Sequence, residues 1–399
     1  MNGADTAWII VATALVLFMT LPGLALFYGG LVRARNVLSV LMQCISIACL
    51  MSVLWLVLGY SIAFGDGGGA NAIWGGLGKM LLIGIGPDTL SGTIPEVLFF
   101  AFQMTFAIIT PALIVGAYVE RVTYGFVLVF SGLWMLVCYA PVAHWVWGGG
   151  WLAAMGVMDF AGGIVVHQTA GLAALVIAIF LGGRRGFARN DLTPPHNPGM
   201  VMIGAAMLWV GWFGFNAGSQ LAADGGAAMA LVVTHISAAA ASLSWAAYER
   251  IKHGKASMVG LVTGTIAGLA SITPASGFVG PVGALFIGAV AGVLCQVAVN
   301  LVKERFRIDD TLDVFAVHGV GGMFGTLMAP ILATGSLSGG QGLGTQFIAL
   351  AAVGVFTVVM TAALVKLTGL VCPMRVTEEE EFDGLDITAH GERAYDMTS

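Results

Sequence analysis

Eleven long apolar runs alternate with short polar breaks along the 399 residues. A hydrocarbon core about 30 Å thick needs about 20 mostly apolar residues in a helix. The pattern predicts spans over 6–31, 37–63, 95–119, 124–146, 159–181, 199–218, 226–248, 257–275, 282–302, 311–333 and 344–371. Charge or Gly/Pro clusters mark the breaks: "RARN" at 33, "GDGGGAN" at 65, "GGRRGFARNDLTPPHNPG" at 182, "ERIKHGK" at 249 and "KERFRIDD" at 303. Composition agrees, because 58% hydrophobic and 9% charged residues with a mean hydropathy of +0.93 describe an all-α polytopic membrane protein. A transmembrane domain over 1–371 is expected, with halves of about 6–181 and 199–333, an extra helix over 344–371 and a tail over 372–399.

Charge orients the spans. Fifteen of the sixteen basic residues fall in alternate breaks or at their helix ends, all on one side, and only Lys79 lies on the other. The positive-inside rule then puts the N-terminus outside and the tail in the cytoplasm. Residues 375–399 carry eight acids and two arginines, a net −6 against −5 for the whole chain, so the body is +1 and offers no nucleic-acid surface. The first run begins near Trp8 and is preceded by Asp5 with no Lys or Arg, unlike a secretory signal, so a retained span is expected. The five cysteines form no C-x-x-C pair, which argues against a disulfide framework or a thiolate metal site.

Eleven spans divide as five, five and one. An odd number per half forces the second half to run upside down relative to the first, and inverted repeats place a substrate path at their interface. The fifth and tenth spans both carry an aspartate followed by a histidine, in "DFAGGIVVHQTAG" from 159 and "DVFAVHGVGG" from 313. At 1.5 Å per residue, His167 lies about 12 Å below one boundary and His318 roughly 8–12 Å above the other, so both rings approach the midplane. Intramembrane ionisable residues face a cavity or a partner, and two at matching depth in paired helices point to a pathway. Asp159 and Asp313 stand where their helices begin, so both are expected to cap backbone N–H groups. Neither forms a metal-binding pair with its own histidine, and no metal or cofactor is expected. Glycine spacing at Gly260, Gly264 and Gly268, and at Gly288 and Gly292, predicts close helix packing.

Eight strings taken in order carry a resemblance across essentially the whole chain: "FYGGLVRARNVLSVLMQ", "FQMTFAIITPALIVGAYVER", "HWVWGGG", "DFAGGIVVHQTAG", "GWFGFNAGS", "TPASGFVGP", "DVFAVHGVGG" and "EFDGLDITAHGERAYD". Together they resemble the ammonium transporter family, in its bacterial branch. The resemblance implies a homotrimer in the cytoplasmic (inner) membrane, each eleven-helix subunit with its own pore. His167 and His318 match paired pore histidines that share a hydrogen bond. Phe106 and Phe215 match two stacked phenyl rings that close the pore. Trp147 and Ser219, with Phe102 and Phe106 nearby, match an outer ammonium site, and Trp212 matches a pore-lining aromatic. The tail resembles a surface on which a PII signal-transduction protein docks, and Leu385, Ile387 and Tyr395 are anchors that a merely solvating tail would not need.

The physics of that arrangement can be stated independently of the resemblance. Ammonium is about the size of potassium or water, so selection needs a π-face with a hydrogen-bond acceptor. Cation–π attraction of roughly 0.5–2 kcal/mol recruits the ion. It is far smaller than the tens of kcal/mol for a bare ion in a low-dielectric pore. Neutral ammonia avoids that penalty, and neutral imidazoles offer it a donor and an acceptor. Transport of ammonium or ammonia, and of methylammonium as a further candidate, is therefore the leading expectation, with or without a separate proton relay. Three alternatives are a Rhesus-type ammonia or carbon dioxide channel, a membrane ammonium sensor signalling through its tail, and a membrane enzyme. Trp147 and Ser219 speak against the first, and the missing nucleophile or cofactor motif against the third.

Overall fold

The computed structural model describes residues 1–189, 193–334 and 342–395, so the last four residues of the expected tail lie outside it. Among the described residues, ten helices are long and apolar enough to cross a membrane. Five belong to the first half: α1 (Gly3–Leu31), α2 (Ala34–Phe64), α3 (Glu96–Tyr118), α4 (124–146) and α5 (Gly163–Leu181). The second half holds α6 (Pro198–Gly218), α7 (Gly225–His253), the shorter α8 (Met258–Ile272), α9 (Pro281–Arg305) and α10 (Phe315–Leu332). One more, α11 (Leu343–Gly369), follows. The eleven expected spans and the inverted five-helix halves are therefore present, with boundaries shifted by a few residues.

The bundle has two ends. One end carries Arg33, Arg35, Arg184, Arg185 and Lys303, and is called here the basic face; the other carries Lys79. Spans α5 and α10 cross where their backbones nearly touch: a Cβ on Gly171 would stand 2.4 Å from the Gly319 Cα. Only glycine permits that approach, and it brings the two histidine-bearing segments together.

Both of those segments are π-helical, over Gly163–Gln168 and Phe315–Val320. A residue with positive φ precedes each, Gly162 at 116° and Asp313 at 64°. Asp159 accepts the N–H groups of Gly162 and Gly163 on Oδ1 (2.9 and 2.6 Å) and of Ile164 and Val165 on Oδ2 (2.8 and 3.1 Å). That satisfies all the free donors of a buried helix start. At the start of α10 the expected cap is corrected. The Asp313 carboxylate receives the Lys303 ammonium at 2.7 Å, and it is Asp310 that accepts from Val314 and Phe315 at 3.1 and 2.7 Å. With its φ in the left-handed region, Asp313 aims its side chain away from the helix axis. Asp159 and Asp310 both stand eight residues before their histidine, which is the offset the two halves share.

Ion pairs close the basic face. Arg184 bridges Asp309 at 3.0 Å and Glu120 at 3.1 Å, and Arg33 bridges Glu120 at 3.0 Å. Burial pushes the Glu120 carboxyl up, but the Arg184 and Arg33 guanidiniums win and hold it below its ordinary value. Asp309 behaves alike, with Arg184 and Arg121 outweighing burial. A depressed folded-state value means this stability is complete above the ordinary carboxylate range and is lost as pH falls below that range through the lowered folded-state values. The thermal midpoint is therefore expected to drop as the basic face is acidified across that range, and Asp309→Asn to flatten the dependence. A variant with the parent's acid profile would remove these pairs from the account.

The tail is ordered as α12 (Glu378–Asp383) and α13 (Leu385–His390). Asp386 accepts from the Ser39 N–H at 2.8 Å, Asn36 accepts from the Leu385 N–H at 2.8 Å, and Glu381 pairs with Arg375 at 2.7 Å while accepting from the Arg185 N–H. The Phe382 ring lies between the guanidiniums of Arg35 and Arg185, at 5.5 and 4.7 Å. Gly384 has φ 102° and faces Arg35, where a Cβ would come within 2.6 Å, so both its conformation and its space require glycine.

Candidate functional site: a pore between two vestibules

On the Lys79 side a cavity of about 290 Å³ is lined by Phe64, Phe99, Gln103, Phe106, Trp147 and Ser219, among others. The Trp147 indole donates its N–H to the Asp159 carbonyl at 2.8 Å, which fixes the ring while leaving a face free. Phe106 meets it edge-on, at 5.9 Å and 88°. The Ser219 hydroxyl donates to the Phe215 carbonyl at 2.8 Å. With its proton so engaged, the hydroxyl oxygen has only lone pairs to offer a visitor. The cavity therefore combines π-faces with acceptors, which suits a small cation that donates hydrogen bonds.

Beneath it the Phe106 and Phe215 rings stack at 4.3 Å and 24°. Both are almost wholly buried, so the vestibule is shut. Directly below them are the histidines. The His167 ring lies 6.1 Å from Phe215 and 5.5 Å from Trp212, and 5.2 Å from His318 at 25°. The two imidazoles meet through Nδ1 atoms 3.3 Å apart, so one ring donates and the other accepts. His167 Nε2 has no partner among the described residues. Trp212 is held by its indole N–H donating to the Thr273 hydroxyl at 2.9 Å. Apolar walls from Ile109, Leu113, Val166 and Ile266 leave about 10 Å³ around the pair, room for about one water.

His318 is also the deepest wall of a second cavity, of about 230 Å³, that opens toward the basic face past Thr263, Thr311, Asp313, Lys303 and Arg184. Vestibule, phenyl stack, histidine pair and second vestibule thus follow one another through the bundle. Of the residues singled out from sequence, His167, His318, Phe106, Phe215, Trp147, Ser219 and Trp212 lie on this line. Phe102 does not line the vestibule: its fully buried ring packs against Phe106 at 5.0 Å and against Gly218, and so backs the stack. Phe64, Phe99, Phe160 and Gln103 line the mouth and were not singled out. A signal existed for Gln103, a polar amide three residues before Phe106 in an apolar run.

A helical bundle with a path threaded between its inverted halves defines the class, a multi-pass membrane transport protein rather than an enzyme. The Ammonium Transporter Family model matches residues 7–395, and the chain belongs to that family. An ammonium transporter of Bacillus subtilis is 46% identical over 407 residues, covering 99% of each chain. One from Aquifex aeolicus is 43% identical, covering all of this chain and 94% of the other. Among solved structures, Saccharomyces cerevisiae Mep2 superposes with a TM-score of 0.87 at 35% identity, covering 95% of this chain and 88% of that one. A Sensor Amt Protein superposes at 0.90 and 29% identity, covering 98% of each.

Proposed function

We propose that ammonium enters the vestibule at Trp147, Phe106 and Ser219, loses its proton there, and crosses as ammonia between Phe106 and Phe215 and along His167 and His318. The observation that carries this is the sequence of environments: a π-lined mouth with an acceptor, then a narrow, mostly apolar constriction with room for about one water. Cation–π attraction of about 0.5–2 kcal/mol concentrates the ion, whereas a bare ion in the constriction would cost tens of kcal/mol. Only the neutral form crosses. Trp147 at the mouth favours this reading over a Rhesus-type channel without a cation site. The sensor reading has the 0.90 structural likeness in its favour, but the chain is more similar to proteins named as transporters.

The test is the double substitution Trp147→Leu with Ser219→Ala, which removes π-face and acceptor together. The ammonium concentration for half-maximal uptake is expected to rise by about tenfold, as loss of roughly 1.4 kcal/mol of cation binding requires. An unchanged concentration dependence would place recruitment elsewhere.

The same reading puts the protein in the inner membrane as a homotrimer, with the N-terminus outside and the basic face in the cytoplasm. There the docked tail, held by Asp386, Glu381 and the Phe382 ring, presents a surface for a PII protein. Deleting residues 376–399 is expected to abolish PII binding in a pull-down and PII-dependent inhibition of uptake. Binding and inhibition at the parent's strength would exclude the tail from that surface.

A further inference from the structure

His144 has no exposed surface, and both of its ring nitrogens face backbone carbonyls: Nδ1 lies 2.9 Å from the Ala63 oxygen and Nε2 2.6 Å from the Asn71 oxygen. A carbonyl oxygen can only accept. A neutral imidazole has one N–H and one bare lone pair, so in either tautomer one of these contacts would set lone pair against lone pair. Both contacts are hydrogen bonds only if both nitrogens carry protons.

We propose that His144 is a buried imidazolium that staples the end of α2 and the loop after it to the end of α4, and that it is a positioning residue for Trp147.

The surroundings fit a staple. Trp145 donates its indole N–H to the Ile73 carbonyl at 2.7 Å, the Trp151 N–H donates to Ala72 at 3.0 Å, and the Gly148 and Gly150 N–H groups fold back on the His144 carbonyl. A Cβ on Gly148 would collide with the Ala63 oxygen, so the segment 144–150 must lie close against the end of α2. Trp147 occupies the centre of that segment, gripped on its other side by the Asp159 carbonyl. If one of the two imidazole bonds is lost, the backbone three residues before the recruiting indole is freed at one edge.

The titratable groups on the packed elements are Tyr60 of α2, Asp66 of the loop, and Asp159 and His167 at the start of α5. Tyr60 donates to Glu96, Asp66 accepts from the Gly68 N–H, and Asp159 is occupied by four backbone donors. Beside Trp145, α11 brings the Phe356 ring. The two carbonyl dipoles are therefore what stabilises the charge.

The protonation state can be read without a variant. His-Trp occurs once in the sequence, at 144–145, so pairing carbonyl-labelled histidine with nitrogen-labelled tryptophan assigns His144 in the full chain in lipid bilayers. At pH 7 both ring nitrogens are expected to show directly bonded protons, and a single-proton tautomer would overturn the proposal. The positioning role rests on Trp147 being the recruiting residue and is tested separately. His144→Gln donates from one end only and is expected to raise the half-saturating ammonium concentration about tenfold, the effect of one charged bond. His144→Lys, a cation with several donors, is expected to restore most of that loss. A His144→Gln protein with the parent's concentration dependence would refute the positioning role. If instead the Trp147→Leu, Ser219→Ala pair is without effect, the recruitment reading fails and the resonance result for His144 still stands.

Discussion

Replacing Asp159 with alanine is expected to abolish uptake and to lower folding stability by on the order of 4 kcal/mol, at about 1 kcal/mol or more for each of four stranded backbone donors. The carboxylate is buried, and its two oxygens take the N–H groups of Gly162, Gly163, Ile164 and Val165. Gly162, Gly163, Ile164 and Val165 are themselves buried, so their N–H groups have little access to solvent. The same residue's carbonyl holds the Trp147 indole, and its helix presents His167 five residues further on from Gly162, so vestibule and constriction both loosen. Asn is a sharper test than Ala. Its single carbonyl oxygen can serve Gly162 and Gly163, but its amide then points N–H groups at the Ile164 and Val165 donors. Asp159→Asn is therefore expected to be nearly as damaging as Asp159→Ala. Thermal unfolding in detergent and uptake in liposomes measure the two effects, and an Asn variant with the parent's midpoint would show that the four bonds contribute little.

The helices were legible because burial in lipid demands long apolar runs, and the paired histidines because an imidazole is conspicuous inside one. The aspartates show where that legibility stops. From sequence, Asp313 stands where α10 should begin, and the eight-residue offset that points to Asp310 emerges only when the two halves are aligned on their histidines. What decides between them is the positive φ of Asp313 and the π-turn that follows, neither of which leaves a hydropathy signal. A π-turn adds a residue to the turn and rotates the face that follows by about 100°. Facing residues near a π-segment therefore cannot be counted off at 3.6 per turn. Phe102 and Phe99 illustrate a second limit. Both are phenylalanines in one apolar run, seven and four residues before Phe106, yet Phe99 lines the mouth and Phe102 backs the stack. Apolar contact with lipid, core and pore draws on the same residue types, so composition cannot sort them.

Substituting His167 and His318 by alanine is expected to leave the bundle folded while destroying selectivity. The two rings fill the constriction to the point where about 10 Å³ remains, enough for about one water. A single water cannot hydrate an ion, so on the proposed pathway the imidazoles would exclude potassium by occupying space as much as by their chemistry. They also offset the loss of hydrogen bonds by ammonia, worth roughly 2–7 kcal/mol for an unpaired polar group in apolar surroundings. Removing one ring leaves a ring-sized void beside the other, whose Nδ1 then has no partner, and water fills it. The expected result is a potassium-dependent current absent from the parent, largest in the double variant. The half-saturating ammonium concentration should change far less, because Trp147 and Ser219 lie beyond the phenyl stack. Current and ammonia flux recorded together on the same liposomes measure this. Their ratio in the parent also reports whether the proton follows the ammonia, since an electroneutral passage gives flux without current. Single variants that keep both the parent's flux and its selectivity would show that the pair lines no part of the conducting path.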